Sequence, residues 1–178
     1  MTDSDKKVVL VVDDEDDIRE YLAAALLDAG FEVITADDGL TALEEVKKRR
    51  PDLISLDLVM PRKSGAKFYR ELSKNRDWAK IPVLIVTGHA RDDMGQADLK
   101  ELTMSGPGIY LEKPVKPENY IAAVKKLLEM EITEDEEKAA REVELQNELK
   151  DLIDRADVDD LKKLKELIQL QKKQGRSD

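Results

Sequence analysis

Short apolar runs alternate with amphipathic stretches through the first 130 residues, and this alternation constrains the fold more than any other feature. The apolar runs predict five β-strands, at about 7–12, 31–36, 52–57, 82–87 and 109–112. The stretches between and after them predict helices at about 16–29, 39–49, 64–75, 92–103 and 117–129. Strands that alternate with helices in this way are typical of a parallel sheet with helices on both faces. We therefore expect one doubly wound α/β domain at residues 1–130.

Reactive side chains stand where four of these strands end. Asp13 and Asp14 follow the first strand, Asp57 ends the third, Thr87 ends the fourth and Lys113 follows the fifth. In an open parallel sheet the strand exits share one edge, where ligands bind. A carboxylate nucleophile, two metal-binding carboxylates, a hydroxyl and a fixed cation are the groups needed to phosphorylate an aspartate.

The three acids at this edge predict a site for Mg²⁺. Oxygen ligands suit Mg²⁺, and the cation would neutralise the repulsion between Asp57 and an anionic phosphoryl donor. Without a metal, crowding of Asp13, Asp14 and Asp57 should raise their pKa values.

Composition excludes several classes of protein. The chain has no cysteine, so disulfides and thiolate metal sites are excluded. Its net charge of −10 argues against a nucleic-acid partner. No apolar run approaches the length of a membrane span, and the first residues lack the pattern of a signal peptide. We therefore expect a cytoplasmic protein without a membrane partner.

A second region, the tail (residues 131–178), differs in character because its strand-like runs cease. Thr133 to Glu136 has the spacing of a capping box. An apolar stripe at helical spacing follows and fails after Ala156. We therefore predict two helices, at about 134–156 and 159–173. They would pack through Leu145, Leu149, Leu152, Leu161, Leu164 and Ile168.

Two such helices bury little core by themselves, since helical stability in proteins comes mostly from packing an apolar face. An antiparallel hairpin paired with that of a second chain would form a four-helix dimer. We therefore expect a homodimer through residues 131–174, with coiled-coil-like packing. Packing on the α/β domain and binding of another partner remain the alternatives.

The order of the reactive residues resembles that of receiver domains in two-component response regulators. The resemblance rests on the Asp-Asp pair at 13–14, on Asp-x-x-Met-Pro beginning at Asp57, and on Lys113-Pro114. It covers residues 1–130 and implies a flavodoxin-like sheet of five parallel strands in the order 2-1-3-4-5. Nothing in the tail resembles an output domain that we can name.

The resemblance implies a role for each site residue. Asp57 is the phosphoacceptor, and Asp13, Asp14, Asp57 and the backbone carbonyl of Val59 hold Mg²⁺. The phosphoryl donor is a histidine kinase or a phosphotransfer protein.

Three further residues complete the family pattern. Thr87 and Lys113 contact the phosphoryl group, and Thr87 forms a switch pair with Tyr110. A plain core role remains the alternative for Tyr110. The Lys113–Pro114 peptide bond is expected to be cis.

These features predict a phosphorylation-dependent response regulator that signals through protein contacts to a target the sequence does not name. Such a protein catalyses its own phosphorylation and dephosphorylation and is not an enzyme with an external substrate. A phosphorelay shuttle, or a structural adaptor that oligomerises through the tail, is the alternative. An aspartyl-phosphate phosphatase would carry a second Asp where this chain has Val59.

Two features depart from the family pattern. The stretch from Thr87 to Lys113 is longer than usual and rich in glycine. The tail carries 15 acidic and 10 basic residues and is too short for a winged-helix domain. We therefore do not expect direct DNA binding.

Overall fold

The computed structural model describes residues 6–60, 64–88, 110–163 and 165–166. They form a five-stranded parallel sheet in the order β2-β1-β3-β4-β5, as predicted. The strands are β1 (Val8–Val12), β2 (Glu32–Ala36), β3 (Leu53–Leu56), β4 (Val83–Thr87) and β5 (Tyr110–Glu112). The helices are α1 (Asp16–Asp28), α2 (Gly39–Lys48), α3 (Gly65–Lys74), α4 (Pro117–Leu127) and α5 (Glu134–Arg155). The predicted helix at 92–103 lies outside the described residues.

Two apolar cores lie on opposite faces of the sheet because β1 and β3 are buried on both sides. Val9 and Val11 face a core that includes Leu22 of α1 and Tyr120 of α4. The alternate β1 residues join a second core with α2 and α3. That core includes Leu10, Val12, Ala42, Val46, Phe68 and Leu72.

Backbone hydrogen bonds extend the sheet one residue past the ends of its strands and fix the positions of those residues. The Asp57 amide donates to the Val12 carbonyl at 2.9 Å, and the Asp13 amide donates to the Ala36 carbonyl at 3.1 Å. The amide of the residue after β5 donates in the same way to the last carbonyl of β4. The polar residues directly after β1, β3 and β5 are therefore fixed by the sheet itself.

The beginning of α5 packs on the α/β domain. The chain divides into two compact units, Met1–Val143 and Glu144–Asp178. Within the first unit, Ala139 and Ala140 cluster with Ala122 of α4, and Val143 is buried in the core that contains α1 and α4. The sequence predicts a division at residue 131. The start of α5 lies after that position and belongs to the first unit.

A capping box starts α5, as the sequence predicts. The Thr133 amide donates to Glu136 Oε2 at 2.8 Å, and the Glu136 amide donates to Thr133 Oγ1 at 3.3 Å. Lys125 Nζ of α4 lies 2.5 Å from Glu136 Oε1. The hydrogen bond from Lys125 and that from the Thr133 amide hold the pKa of Glu136 below its usual range.

In the second unit, the apolar stripe of α5 is exposed. Leu145, Leu149 and Leu152 are 56%, 46% and 65% exposed. The helix ends at Arg155, one residue before the predicted end. Asp157 Oδ1 then accepts hydrogen bonds from the backbone amides of residues 159 and 160, at 2.9 Å each, and residues 158–163 are helical again. The predicted contacts of Leu164 and Ile168 lie outside the described residues, and the dimer stays a prediction.

The longest described helix, α5, begins with a run of acidic residues. Within the 22 residues of α5, the first turn contains four acidic residues in succession, Glu134 to Glu137.

No helix among the described residues combines the length and the apolarity that a membrane span requires.

Candidate functional site

Three acidic side chains meet at the carboxyl-terminal edge of the sheet. Asp13, Asp14 and Asp57 each place a carboxylate oxygen within 4.8 Å of the other two. Asp13 and Asp57 are only 1% and 2% exposed, whereas Asp14 is half-buried. Buried carboxylates are costly unless a cation compensates them. The structure therefore brings together the three acids that the sequence predicts for this edge.

Lys113 places its ammonium group among these acids. Lys113 Nζ lies 2.8 Å from Asp13 Oδ2, 2.9 Å from Asp57 Oδ2 and 3.0 Å from Glu15 Oε1. The lysine side chain is only 10% exposed. Burial alone would lower its pKa, but the hydrogen bonds with Asp13 and Asp57 outweigh burial and raise the pKa above its usual range. Lys113 is therefore a permanent cation at the site.

Burial raises the pKa of the Asp13 carboxyl, and contacts with Lys113 and with the Glu15 amide oppose that rise. The charge of Asp57 contributes least. The sequence predicts a raised pKa from crowding among the acids, and the direction is confirmed for Asp13. The main cause differs, because removal from water outweighs repulsion between the carboxylates.

The donor set fits Mg²⁺. All three acids offer oxygen atoms, which Mg²⁺ prefers. Asp13 Oδ2 is buried and lies 2.8 Å from Lys113 Nζ. Asp57 Oδ1 accepts a hydrogen bond from the Val59 amide at 3.3 Å, which orients the Asp57 carboxylate. A carboxylate has about four lone-pair sites on its two oxygens, so these contacts leave acceptor sites for a cation.

Thr87 and Tyr110 lie on the two strands beside the acidic cluster. Thr87 is fully buried at the end of β4, and its carbonyl accepts a hydrogen bond from the Lys113 amide at 3.1 Å. Tyr110 is half-buried at the start of β5 and packs against Leu58 and Ile85. Tyr110 thus makes the apolar contacts of a plain core role, the alternative that the sequence analysis kept for it. The switch role of Tyr110 stays a prediction. The Lys113–Pro114 bond is cis, as predicted.

Gly65 belongs to the site, and the sequence reasoning missed it. The Gly65 amide donates to the Leu58 carbonyl at 3.0 Å, which brings the start of α3 against the chain directly after Asp57. A Cβ atom on residue 65 would meet the Asp57 carbonyl oxygen and the Leu58 Cα atom. The feature of the sequence that could have pointed to Gly65 is its place directly after Ser64, the N-cap of α3.

Glu15 is the second residue that the sequence reasoning missed. It stands at the N-cap of α1, and its carboxylate reaches Lys113 across 98 positions of the chain. Arg19, one turn later, donates to the Asp13 carbonyl at 2.8 Å and pairs with Asp16. The acidic run at residues 13–17 therefore contains both site residues and ordinary helix-start charges.

Comparisons with known proteins agree with this geometry. A model of the response regulator receiver domain matches residues 9–125. The phosphate regulon transcriptional regulatory protein PhoB of Pseudomonas aeruginosa is 34% identical over 122 residues, which are 68% of this chain and 52% of PhoB. The response regulator MprA of Mycobacterium ulcerans is 38% identical over 133 residues, which are 74% of this chain and 54% of MprA. The chain thus spans about half the length of these relatives.

Among solved structures, the chemotaxis protein CheY4 of Vibrio cholerae superimposes with a TM-score of 0.60 at 31% identity. The match covers 68% of this chain and 98% of CheY4. A doubly wound sheet with an acidic cluster and a buried lysine at one edge defines a receiver-type α/β domain. The chain belongs to the response regulator receiver family of two-component systems. Receiver domains accept phosphoryl groups from histidine kinases and typically bind Mg²⁺.

Proposed function

We propose that this chain is a phosphorylation-dependent response regulator that accepts a phosphoryl group on Asp57. The donor is a histidine kinase or a phosphotransfer protein. The contact of 2.9 Å between Lys113 Nζ and Asp57 Oδ2, beside two further acids, carries this proposal. A buried carboxylate held by a fixed cation is positioned to act as a nucleophile.

Mg²⁺ would be held by Asp13, Asp14, Asp57 and the backbone carbonyl of Val59. When bound, it neutralises negative charge and orients the phosphoryl oxygens. The three carboxylates provide the negative charge that binds the cation, and the sheet holds two of them in place through their backbone amides.

Phosphorylation is a direct displacement at phosphorus. An oxygen of the Asp57 carboxylate attacks phosphorus, and the new O–P bond forms as the bond to the donor's nitrogen or oxygen breaks. The leaving group keeps the electron pair of that bond. The positive charge of the Lys113 ammonium stabilises one phosphoryl oxygen, and the Thr87 hydroxyl donates a hydrogen bond to another. The chain promotes this reaction and the later hydrolysis on itself, and it has no external substrate.

The output passes through protein contacts rather than through DNA. Thr87 and Tyr110 rearrange on phosphorylation, and the surface around β5 and α4 changes with them, because packed elements switch between discrete arrangements. PhoB is a transcriptional regulatory protein by name, but the tail of this chain is acidic overall. We propose a protein target in the cytoplasm, with no nucleic-acid or membrane partner. A phosphorelay shuttle is the alternative.

The tail forms a homodimer in this proposal, through residues 131–174. Exposure of Leu145, Leu149 and Leu152 in the single chain supports it. Light scattering of the full chain at tens of micromolar tests it. The variant Leu149→Lys should lower the measured mass from dimer to monomer, whereas Lys138→Ala should leave it unchanged. A monomeric wild type would favour a tail that binds another protein, and a large assembly would favour the structural adaptor.

Intact-mass measurement tests the phosphoacceptor. Incubation with acetyl phosphate and Mg²⁺ should add one phosphoryl group to the wild type and none to Asp57→Asn. Asp52→Asn is the matched control, because Asp52 lies at the opposite end of the same strand and pairs with Lys7. Equal phosphorylation of the wild type and of Asp57→Asn would contradict the proposal.

A further inference from the structure

Glu15 is an exposed third acidic partner of the Lys113 ammonium. Its Oε1 atom lies 3.0 Å from Lys113 Nζ, and its side chain is 57% exposed. The side chains of the other two partners, Asp13 and Asp57, are 2% exposed. Leaving a buried charge unpaired is costly, whereas an exposed pair separates at little cost. Of these three acids, Glu15 is therefore the one that can most easily release Lys113.

Capping of α1 does not explain this contact. An acidic residue at an N-cap usually accepts a hydrogen bond from a backbone amide of the first turn. The Glu15 side chain makes no such bond, and Asp16 and Asp17 supply the acidic charge of the first turn. The Glu15 carboxylate instead reaches a residue 98 positions away. Its orientation follows from Lys113 rather than from the helix.

We propose that Glu15 is a positioning residue that shares the Lys113 ammonium with Asp57 until phosphorylation and then releases it. This inference rests on the proposed function and names a further residue that controls its rate. A lysine ammonium has three N–H bonds, and Lys113 Nζ has three carboxylates within 3.0 Å. A phosphoryl oxygen on Asp57 needs one of these N–H bonds. Glu15 gives up its place because its carboxylate can return to water.

The rate of phosphorylation tests this role, measured on the full chain with acetyl phosphate and Mg²⁺. Glu15→Gln keeps the shape of the side chain and removes its charge. It should speed the initial rate by roughly two- to fivefold at low salt, the range that corresponds to an exposed ion pair. Asp17→Asn removes the same charge from the same helical turn but not from a partner of Lys113, and it should have a smaller effect. About 0.5 M salt should reduce the gain from Glu15→Gln.

Metal affinity separates positioning from metal binding. Calorimetric titration with Mg²⁺ should give Glu15→Gln nearly the affinity of the wild type. A loss of about tenfold or more would mark Glu15 as a metal ligand or as a residue that orients one, and would overturn the proposal. A phosphorylation rate of Glu15→Gln no higher than that of Asp17→Asn would also overturn it and leave the proposed function intact. A wild type that accepts no phosphoryl group would overturn both.

Discussion

Gly65 packs so closely against Asp57 that a Cβ atom on residue 65 would lie 1.9 Å from the Asp57 carbonyl oxygen. The same atom would lie 2.9 Å from the Leu58 Cα atom. Both neighbours are backbone atoms, which cannot turn aside as a side chain could. The N-terminus of α3 therefore reaches the candidate phosphoacceptor only because residue 65 is glycine.

Gly65→Ala should therefore destabilise the chain and impair the site. We expect a loss of about 1–3 kcal/mol in the free energy of unfolding, the cost of overpacking, measured by urea denaturation. The rate of phosphorylation by acetyl phosphate should fall as well, because the backbone that carries Asp57 must shift. Gly88→Ala is the matched control, since its Cβ atom would lie 3.8 Å from the nearest Lys113 side-chain atoms. Equal stability of the two variants would contradict the close contact.

Removal of Lys113 should cost stability because two buried carboxylates would lose their cation. We expect Lys113→Ala to lower the free energy of unfolding by about 3 kcal/mol in metal-free buffer, as for other broken buried ion pairs. Mg²⁺ should restore part of the loss, because a ligand that binds only the folded state stabilises it. Lys116→Ala serves as control, since its pair with Glu142 is exposed and 3.8 Å long. A lysine variant as stable as that control would show that Lys113 does not compensate the acids.

Glu136 should contribute stability that depends on pH. Its pKa is lowered in the folded chain, first by the hydrogen bond from Lys125. A lowered folded pKa stabilises the chain above the unfolded value, about 4.3 for glutamate, and this stability is lost as the pH falls through the folded pKa. At pH 7, Glu136→Gln should lower the free energy of unfolding by less than about 1 kcal/mol relative to the wild type, because the pair is partly exposed. This deficit should shrink as the pH falls.

Urea denaturation at several pH values measures this deficit. Glu137→Gln, a change of the neighbouring exposed glutamate, controls for the general effect of one charge. A deficit of Glu136→Gln that grows on acidification would contradict the assigned direction.

Val143 should matter to the stability of the receiver because it is 3% exposed in the core that includes α1 and α4. We expect Val143→Ala to lower the free energy of unfolding by about 1–3 kcal/mol, the loss of buried apolar groups plus the cavity left behind. Lys138→Ala, on an exposed position of the same helix, should change it by less than about 0.5 kcal/mol. Similar values for the two variants would place Val143 outside the core.

The sheet and its acidic edge were predictable from sequence because the decisive signals are local. A parallel strand buried on both faces must be almost wholly apolar, so the run from Val8 to Val12 marks β1. The register of parallel strands then places the residues after each strand at one edge. Asp13, Asp57 and Lys113 meet there for that reason.

Other features depend on contacts between distant parts of the chain and leave little local signal. The pairing of Glu15 with Lys113 spans 98 positions, and an acid at a helix start has an ordinary local explanation. The strand-like runs cease near residue 131, so the sequence places a division there. Ala139 and Ala140 bury small side chains on α4 and do not stand out in a leucine stripe. For this reason, the sequence left packing of the tail on the α/β domain as an alternative only.

Mapping of the modified residue tests the central claim most directly. The full chain is treated with acetyl phosphate, the acyl phosphate is reduced with borohydride, and the peptides are analysed by mass spectrometry. The account predicts that the reduced residue is Asp57 alone, and that chelation of Mg²⁺ before the donor is added prevents the modification. Modification at another residue, or at Asp57 to the same extent without Mg²⁺, would contradict it.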